Sequence, residues 1–219
     1  MSTSRLGLPP MDEILELARL LRQNGDQVLN GTSKLSLSKK LLFDLNSAFS
    51  MIVDDSKDLE SSFQVCNSSE IEFFRDLKFL HDFVQKTICL KVTHGPNDSQ
   101  IGADITKFRH LRYLELQKVC IDRVTGIQGV RGQLESISCT GGGGVGSIGR
   151  LLAACGGDAG VGFVWGSLKR LALAYNGLGR LDKSLELAPW LQTLDLSHNY
   201  ISSAVEIDCL PNLKHVNLG

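Results

Sequence analysis

With 219 residues, 42% of them apolar, and a net charge of −1, the chain can bury a sizeable core. That balance gives no electrostatic reason to expect nucleic acid or an anionic membrane as a partner. No run of about 18 apolar residues exists to make a transmembrane helix, and Asp12, Glu13, Glu16, Arg19 and Arg22 interrupt the apolar stretch a signal peptide would need.

The spacing predicts an amphipathic helix over residues 11–23, with Ile14, Leu17, Ala18 and Leu21 on one face and Gly25 after its end. Asn30-Gly31 reads as a turn and the alternating Leu35 and Leu37 as a short extended piece. A second helix is expected after Ser38, carrying Leu41, Leu42, Leu45 and Phe49. Residues 52–69 are polar and weakly patterned, as in a loop. Ser69 followed by Glu72 is a capping-box signature for a third helix with Phe73, Leu77, Leu80 and Val84. These helices are expected to cover the first edge of the strand-rich region that begins near residue 87.

From residue 87 the pattern changes to short strands. Leu90 and Val92 fit inward strand positions, Leu111, Leu114 and Leu116 fit better, and Leu134, Ile137 and Cys139 give another. Leu168, Leu171, Leu173, Asn176 and Leu178 then match L-x-x-L-x-L-x-x-N-x-L at every position, and Leu191, Leu194, Leu196, Asn199 and Ile201 match it again. Asn176 and Asn199 are the structural turn residues of this pattern, their amides able to bond backbone groups left open at the bend. In the unit at 111, Val119 holds the asparagine position. Units begin at 87, 111, 134, 168, 191 and 213, so the one that starts at 134 is longer than its neighbours. These spacings predict an α/β repeat fold, a leucine-rich-repeat solenoid with an N-terminal α-helical cap. The cap would span 1–86 and the repeats 87–219, with an insertion at 141–165 and an incomplete last repeat whose edge is uncapped.

Strand alternation also predicts which residues face outward. Tyr113, Glu115, Gln117, Arg170, Thr193, Asp195 and His215, joined by Lys91, Ser136, Ser138, Ala172 and Asn217, should line a concave, partner-binding face. Tyr113 and Arg170 are the best anchor candidates by residue type.

Candidate chemistry is thin. Gly144, Gly146 and Gly149 form G-x-G-x-x-G between an expected strand and an expected helix over 147–155, the context of a dinucleotide-binding turn. The acidic residue required further on is missing, and Ser147 follows Gly146 where a phosphate loop needs lysine. The 141–149 stretch therefore reads as a flexible glycine-rich insertion. Ser197, His198 and Asp195 are too close in sequence to converge as a triad. Asp158, after Cys155-Gly156-Gly157, is expected at a helix end and not in a metal site. The six cysteines show no C-x-x-C pair and no metal-ligand spacing, which favours reduced thiols in a cytosolic protein. The sequons at Asn30, Asn67 and Asn97 should then stay unmodified. No catalytic, cofactor or metal residue is expected.

Several stretches resemble one family. Glu16 to Gly31, leading into Ser33 to Leu37, is similar to the N-terminus of the serine/threonine-protein kinase 11-interacting proteins. Leu80 to Thr87, Phe108 to Leu116 and Leu151 to Asp158 resemble them too, and the units at 168 and 191 agree in register; residues 50–70, 97–106 and 141–149 diverge. The resemblance implies a cytoplasmic, non-enzymatic adaptor that binds serine/threonine kinase 11 and influences where it resides. It also implies a chain that continues past Gly219. Two other readings stand beside it: a nucleotide-binding enzyme centred on 141–149, and a structural spacer whose partner sites lie in a further C-terminal region.

Overall fold

Alternating apolar residues place seven short strands in one parallel sheet, with helices at its start. The computed structural model describes residues 11–55, 68–95, 100–141, 145–158 and 163–219. Helix α1 (Met11–Leu29) buries Ile14, Ala18 and Leu21, three of the residues whose spacing predicts it. It does not stop before Gly25. That glycine lies inside the helix against Phe83, where a β-carbon would sit 2.6 Å from the ring, so it marks a close approach between helices. The chain turns instead at Asn30-Gly31, with Gly31 at φ +78°.

Strand β1 (Leu35–Ser38) leads into α2 (Lys39–Asp55), whose first turn is capped by Ser38: its Oγ accepts the N–H of Leu41 at 3.1 Å. Leu42, Leu45 and Phe49 are buried and Leu41 is half-buried. Helix α3 (Ser68–Lys86) buries Phe73, Leu77, Leu80 and Val84, and the capping side chain proposed at Ser69 lies outside the described residues. The loop expected at 52–69 is helical at both ends, and 56–67 also lie outside them.

The remaining strands are β2 (Cys89–Thr93), β3 (Ala103–Asp104), β4 (Tyr113–Gln117), β5 (Val124–Thr125), β6 (Ser136–Thr140), β7 (Arg170–Ala172), β8 (Thr193–Asp195) and β9 (His215–Asn217). The main sheet runs β1-β2-β4-β6-β7-β8-β9, and β3 pairs with β5 in a small second sheet. Every pair is parallel and in register: Leu35, Leu90, Leu114, Ile137, Leu171, Leu194 and Val216 form one inward row. All but Val216 in that row are at most 3% exposed. Burying a leucine this completely contributes about 1.5–3 kcal/mol.

The expected leucine-rich-repeat solenoid with an N-terminal α-helical cap is corrected by this topology: the chain is an α/β fold built on one seven-stranded parallel sheet. The leucine spacing describes a strand and the turn after it, and those local features form. It carries no information about the segments that return the chain to the next strand, and these differ in kind. α2 and α3 lie between β1 and β2, and β3 between β2 and β4. A 3-10 turn, β5 and the short α4 (Ile127–Val130) precede β6; the short α5 (Gly149–Leu152) precedes β7; later returns use 3-10 turns at Lys183–Leu187 and Val205–Cys209. β1, from the N-terminal helical region, is itself the first strand of the sheet.

The long unit after β6 contributes to the core through six of its described residues, while Phe163 and Val164 are exposed. Val145, Ile148, Leu151, Leu152, Cys155 and Trp165 are buried, and the Trp165 indole donates to the carbonyl of Leu152 at 2.9 Å. Gly142 to Gly144, the centre of the expected flexible stretch, lie outside the described residues.

Candidate docking face

Because the inward rows are apolar, the other half of each strand makes a polar face. Tyr113, Ser136, Arg170, Thr193 and His215 stand side by side in one row across β4, β6, β7, β8 and β9. The next row holds Lys91, Glu115, Ser138, Ala172, Asp195 and Asn217, and Gln117 lies in the row beyond, between Thr93 and Thr140. All seven residues expected to bind a partner are therefore on one face of one sheet. Arg170, Gln117 and His215 are exposed; Tyr113, Glu115, Thr193 and Asp195 are half-buried.

Charge on this face is organised by two carboxylates. Glu115 receives the Lys34 ammonium at 2.6 Å and that of Lys91 at 2.9 Å. Desolvation alone would raise its pKa, but those two hydrogen-bonded cations outweigh it and hold the carboxyl below its ordinary value. Glu135, just before β6, is opposed in the same way by desolvation and held low by Arg112, whose Nε donates at 2.7 Å, and by Lys169 at 3.5 Å.

At the far ends of the strands the two turn asparagines bond backbone groups of neighbouring turns. Asn176 donates its amide to the carbonyls of Cys139 (2.7 Å) and Ala174 (3.1 Å). Asn199 donates to Leu173 and Leu196 and accepts the N–H groups of Asn176 and Leu178. Each stitches its own turn to the preceding strand.

Sequence reasoning placed His198 in its turn but missed how the side chains next to these positions pair. Tyr175 and His198 each precede the turn asparagine, hold left-handed backbones at φ +60° and +57°, and stack their rings 4.1 Å apart at 14°. Their matched offset from Asn176 and Asn199 was the available signal. Arg112, Glu135 and Lys169 share the position just before a strand, and that too was readable.

Among the described residues, the geometry runs against the alternative chemistries. The N–H of Gly149, at the start of α5, donates to the Asp182 carboxylate at 3.1 Å, so a side chain of this chain already holds the place a pyrophosphate would take. Asp195 accepts the backbone N–H of Ser197 while His198 stacks on Tyr175, which leaves the three triad candidates divergent. Asp158 does sit at a helix end, and the helix is α4: its two oxygens accept the N–H groups of Gly126 and Gln128, each at 2.7 Å. Gly126 is required there, since at φ +95° a β-carbon would lie 2.5 Å from the nitrogen of Thr106. Among the described residues no group of His, Cys, Asp and Glu is placed to hold a metal ion, and no helix is long and apolar enough to cross a membrane.

Known proteins similar to this chain point one way. A family model described as LKB1 serine/threonine kinase interacting protein 1 matches residues 9–96, which include α1 through β2. Relatives named serine/threonine-protein kinase 11-interacting protein are similar over most of the chain. The one from Mus musculus is 37% identical over 192 residues, 86% of this chain and 18% of the relative. That from Gallus gallus is 37% identical over 188 residues (84% and 17%), and that from Homo sapiens 36% over 189 residues (85% and 17%). The chain thus spans under a fifth of the length of the curated relatives it matches.

Proposed function

This chain belongs to the serine/threonine-protein kinase 11-interacting protein family, and from that premise we propose that it is a non-enzymatic adaptor module. Its polar sheet face is the docking surface, and serine/threonine kinase 11 is the partner it docks. One observation carries the reading. Parallel sheets are ordinarily covered on both faces, yet here the outward rows are polar and, from Tyr113 to His215, half-buried or exposed. A parallel sheet left open with Tyr, Arg, Glu and His displayed in register suits a specific, moderately polar protein interface. The names of the relatives supply the partner. A cytoplasmic location belongs to the same proposal, supported by the five described cysteines, all free thiols.

Titration calorimetry of the whole chain against purified serine/threonine kinase 11 tests the reading. Saturable binding with a defined stoichiometry is expected. No heat or shift at tens of micromolar protein would overturn it and leave the spacer reading in its place.

A further inference from the structure

The docking face is not electrically neutral. Where the strands begin, each chain segment bonds its neighbour: Arg112 N–H to the carbonyl of Ile88, Glu135 to Arg112, Lys169 to Glu135, Gln192 to Lys169 and Lys214 to Gln192, all at 2.8–2.9 Å. This ladder lines Arg112, Glu135, Lys169, Gln192 and Lys214 along one rim, with Arg170 in the adjoining row. Toward β1 the cations are matched, since Lys34 and Lys91 share Glu115 while Arg112 and Lys169 share Glu135. Toward β9 the matching fails. Arg170 and Lys214 are exposed, and neither has a carboxylate within ion-pair distance among the described residues. Cations outnumber carboxylates on this face although the chain as a whole carries −1, so the positive surplus is local.

We propose that the rim around Arg170 and Lys214 docks an acidic protein segment, the part of the partner that meets this end of the sheet; the proposal rests on the docking reading above. An arginine fork beside a lysine suits carboxylates, the first by paired hydrogen bonds and the second as a point charge. The hydroxyls of Ser136 and Thr193 flank Arg170 in its row and can bond a peptide backbone. A protein fits better than nucleic acid or lipid because Glu115, Glu135 and Asp195 interrupt the strip. A uniformly charged phosphate surface would set its anions against those carboxylates, whereas a protein segment can place acids opposite the cations and N–H groups opposite the acids.

The probe is a fluorescent synthetic peptide with Glu at alternate positions and Ser between, read by anisotropy against the whole chain, with the matching Gln peptide as reference. The expected result is saturable binding of the Glu peptide that weakens as salt rises. R170E/K214E should lose at least about tenfold in affinity. R180E/K183E makes the same change in charge beside the 3-10 turn at Lys183–Leu187, outside the sheet, and should lose little. Circular dichroism on both pairs confirms folding. Equal loss in the two pairs, or no preference for Glu over Gln, would overturn the proposal. So would displacement of the peptide by single-stranded DNA or phosphatidylserine vesicles at lower concentrations than by free Glu peptide, since the site would then take another class of anion. If the peptide binds through Arg170 and Lys214 while kinase 11 does not bind at all, the rim stands as an acidic-segment site and the kinase reading falls.

Discussion

Asn199 reaches across one strand to hold Asn176: its side-chain oxygen accepts the Asn176 backbone N–H at 3.0 Å and that of Leu178 at 3.1 Å, while its amide nitrogen donates to the carbonyl of Leu173 at 2.8 Å. One side chain thus satisfies three backbone groups of the preceding turn.

Asn199→Ala should therefore destabilise the fold by about 2–3 kcal/mol, because it strands backbone donors and acceptors that water reaches poorly. Denaturant unfolding measures it. A loss under about 0.5 kcal/mol, the size of an ordinary surface change, would mean the turn does not depend on this amide.

Leu171 and Leu194 are neighbours in the inward row and are 1% and 0% exposed. Truncating either to Ala should cost about 2–5 kcal/mol, the transfer loss plus the cavity left behind. The two changes touch one another's cavity, so the double variant should depart from additivity. Thermal unfolding of the three variants checks both points.

These inward positions were legible in the sequence because alternation is local: Leu114 and Leu116, or Leu171 and Leu173, reveal their side of the strand without reference to anything distant. The outward residues followed by the same logic, and the start of a helix after Ser38 was readable from its apolar spacing, though the cap that Ser38 makes was not. The overall form was not legible in that way. Nothing in residues 35–38 announces that they pair with 90–93, and the leucine spacing leaves the return segments unspecified. Long-range polar contacts were equally silent: Lys34 finds Glu115 across 81 residues, and Asp158 caps a helix 30 residues upstream. Gly25 looked like a stop because Gly usually is one; the ring of Phe83 needs its missing β-carbon instead.

Glu115 and Glu135 give the fold a pH dependence. Both have folded-state pKa values below the ordinary 4.5, held there by their cations against desolvation. A carboxylate depressed on folding stabilises the native state above its unfolded pKa and loses that contribution as pH falls through the folded value. Stability should thus decline as the pH drops below about 4.5, and E115Q/E135Q should make that decline shallower. Urea midpoints across the acid range measure it; an identical slope in the variant would show that other groups govern the acid limb.

Cysteine reactivity reports on the core. Burial pushes the Cys139 thiol up to about 12 and also raises Cys155, where Arg131 offsets part of the effect. Both should resist alkylation in the folded protein and react once it is denatured, whereas the half-buried Cys120 should react before them and before Cys209, whose thiol is also pushed up by burial and by Glu186. Mass spectrometry of timed iodoacetamide digests gives the order.

The measurement that bears most directly on the docking face is calorimetry of kinase 11 binding to Tyr113→Ala/Arg170→Ala. These residues sit in one row, two strands apart, with their side chains on the polar face. Stability within about 1 kcal/mol of the parent together with binding at least about tenfold weaker is the predicted result. Unchanged affinity in a folded double variant would move the partner site off this face.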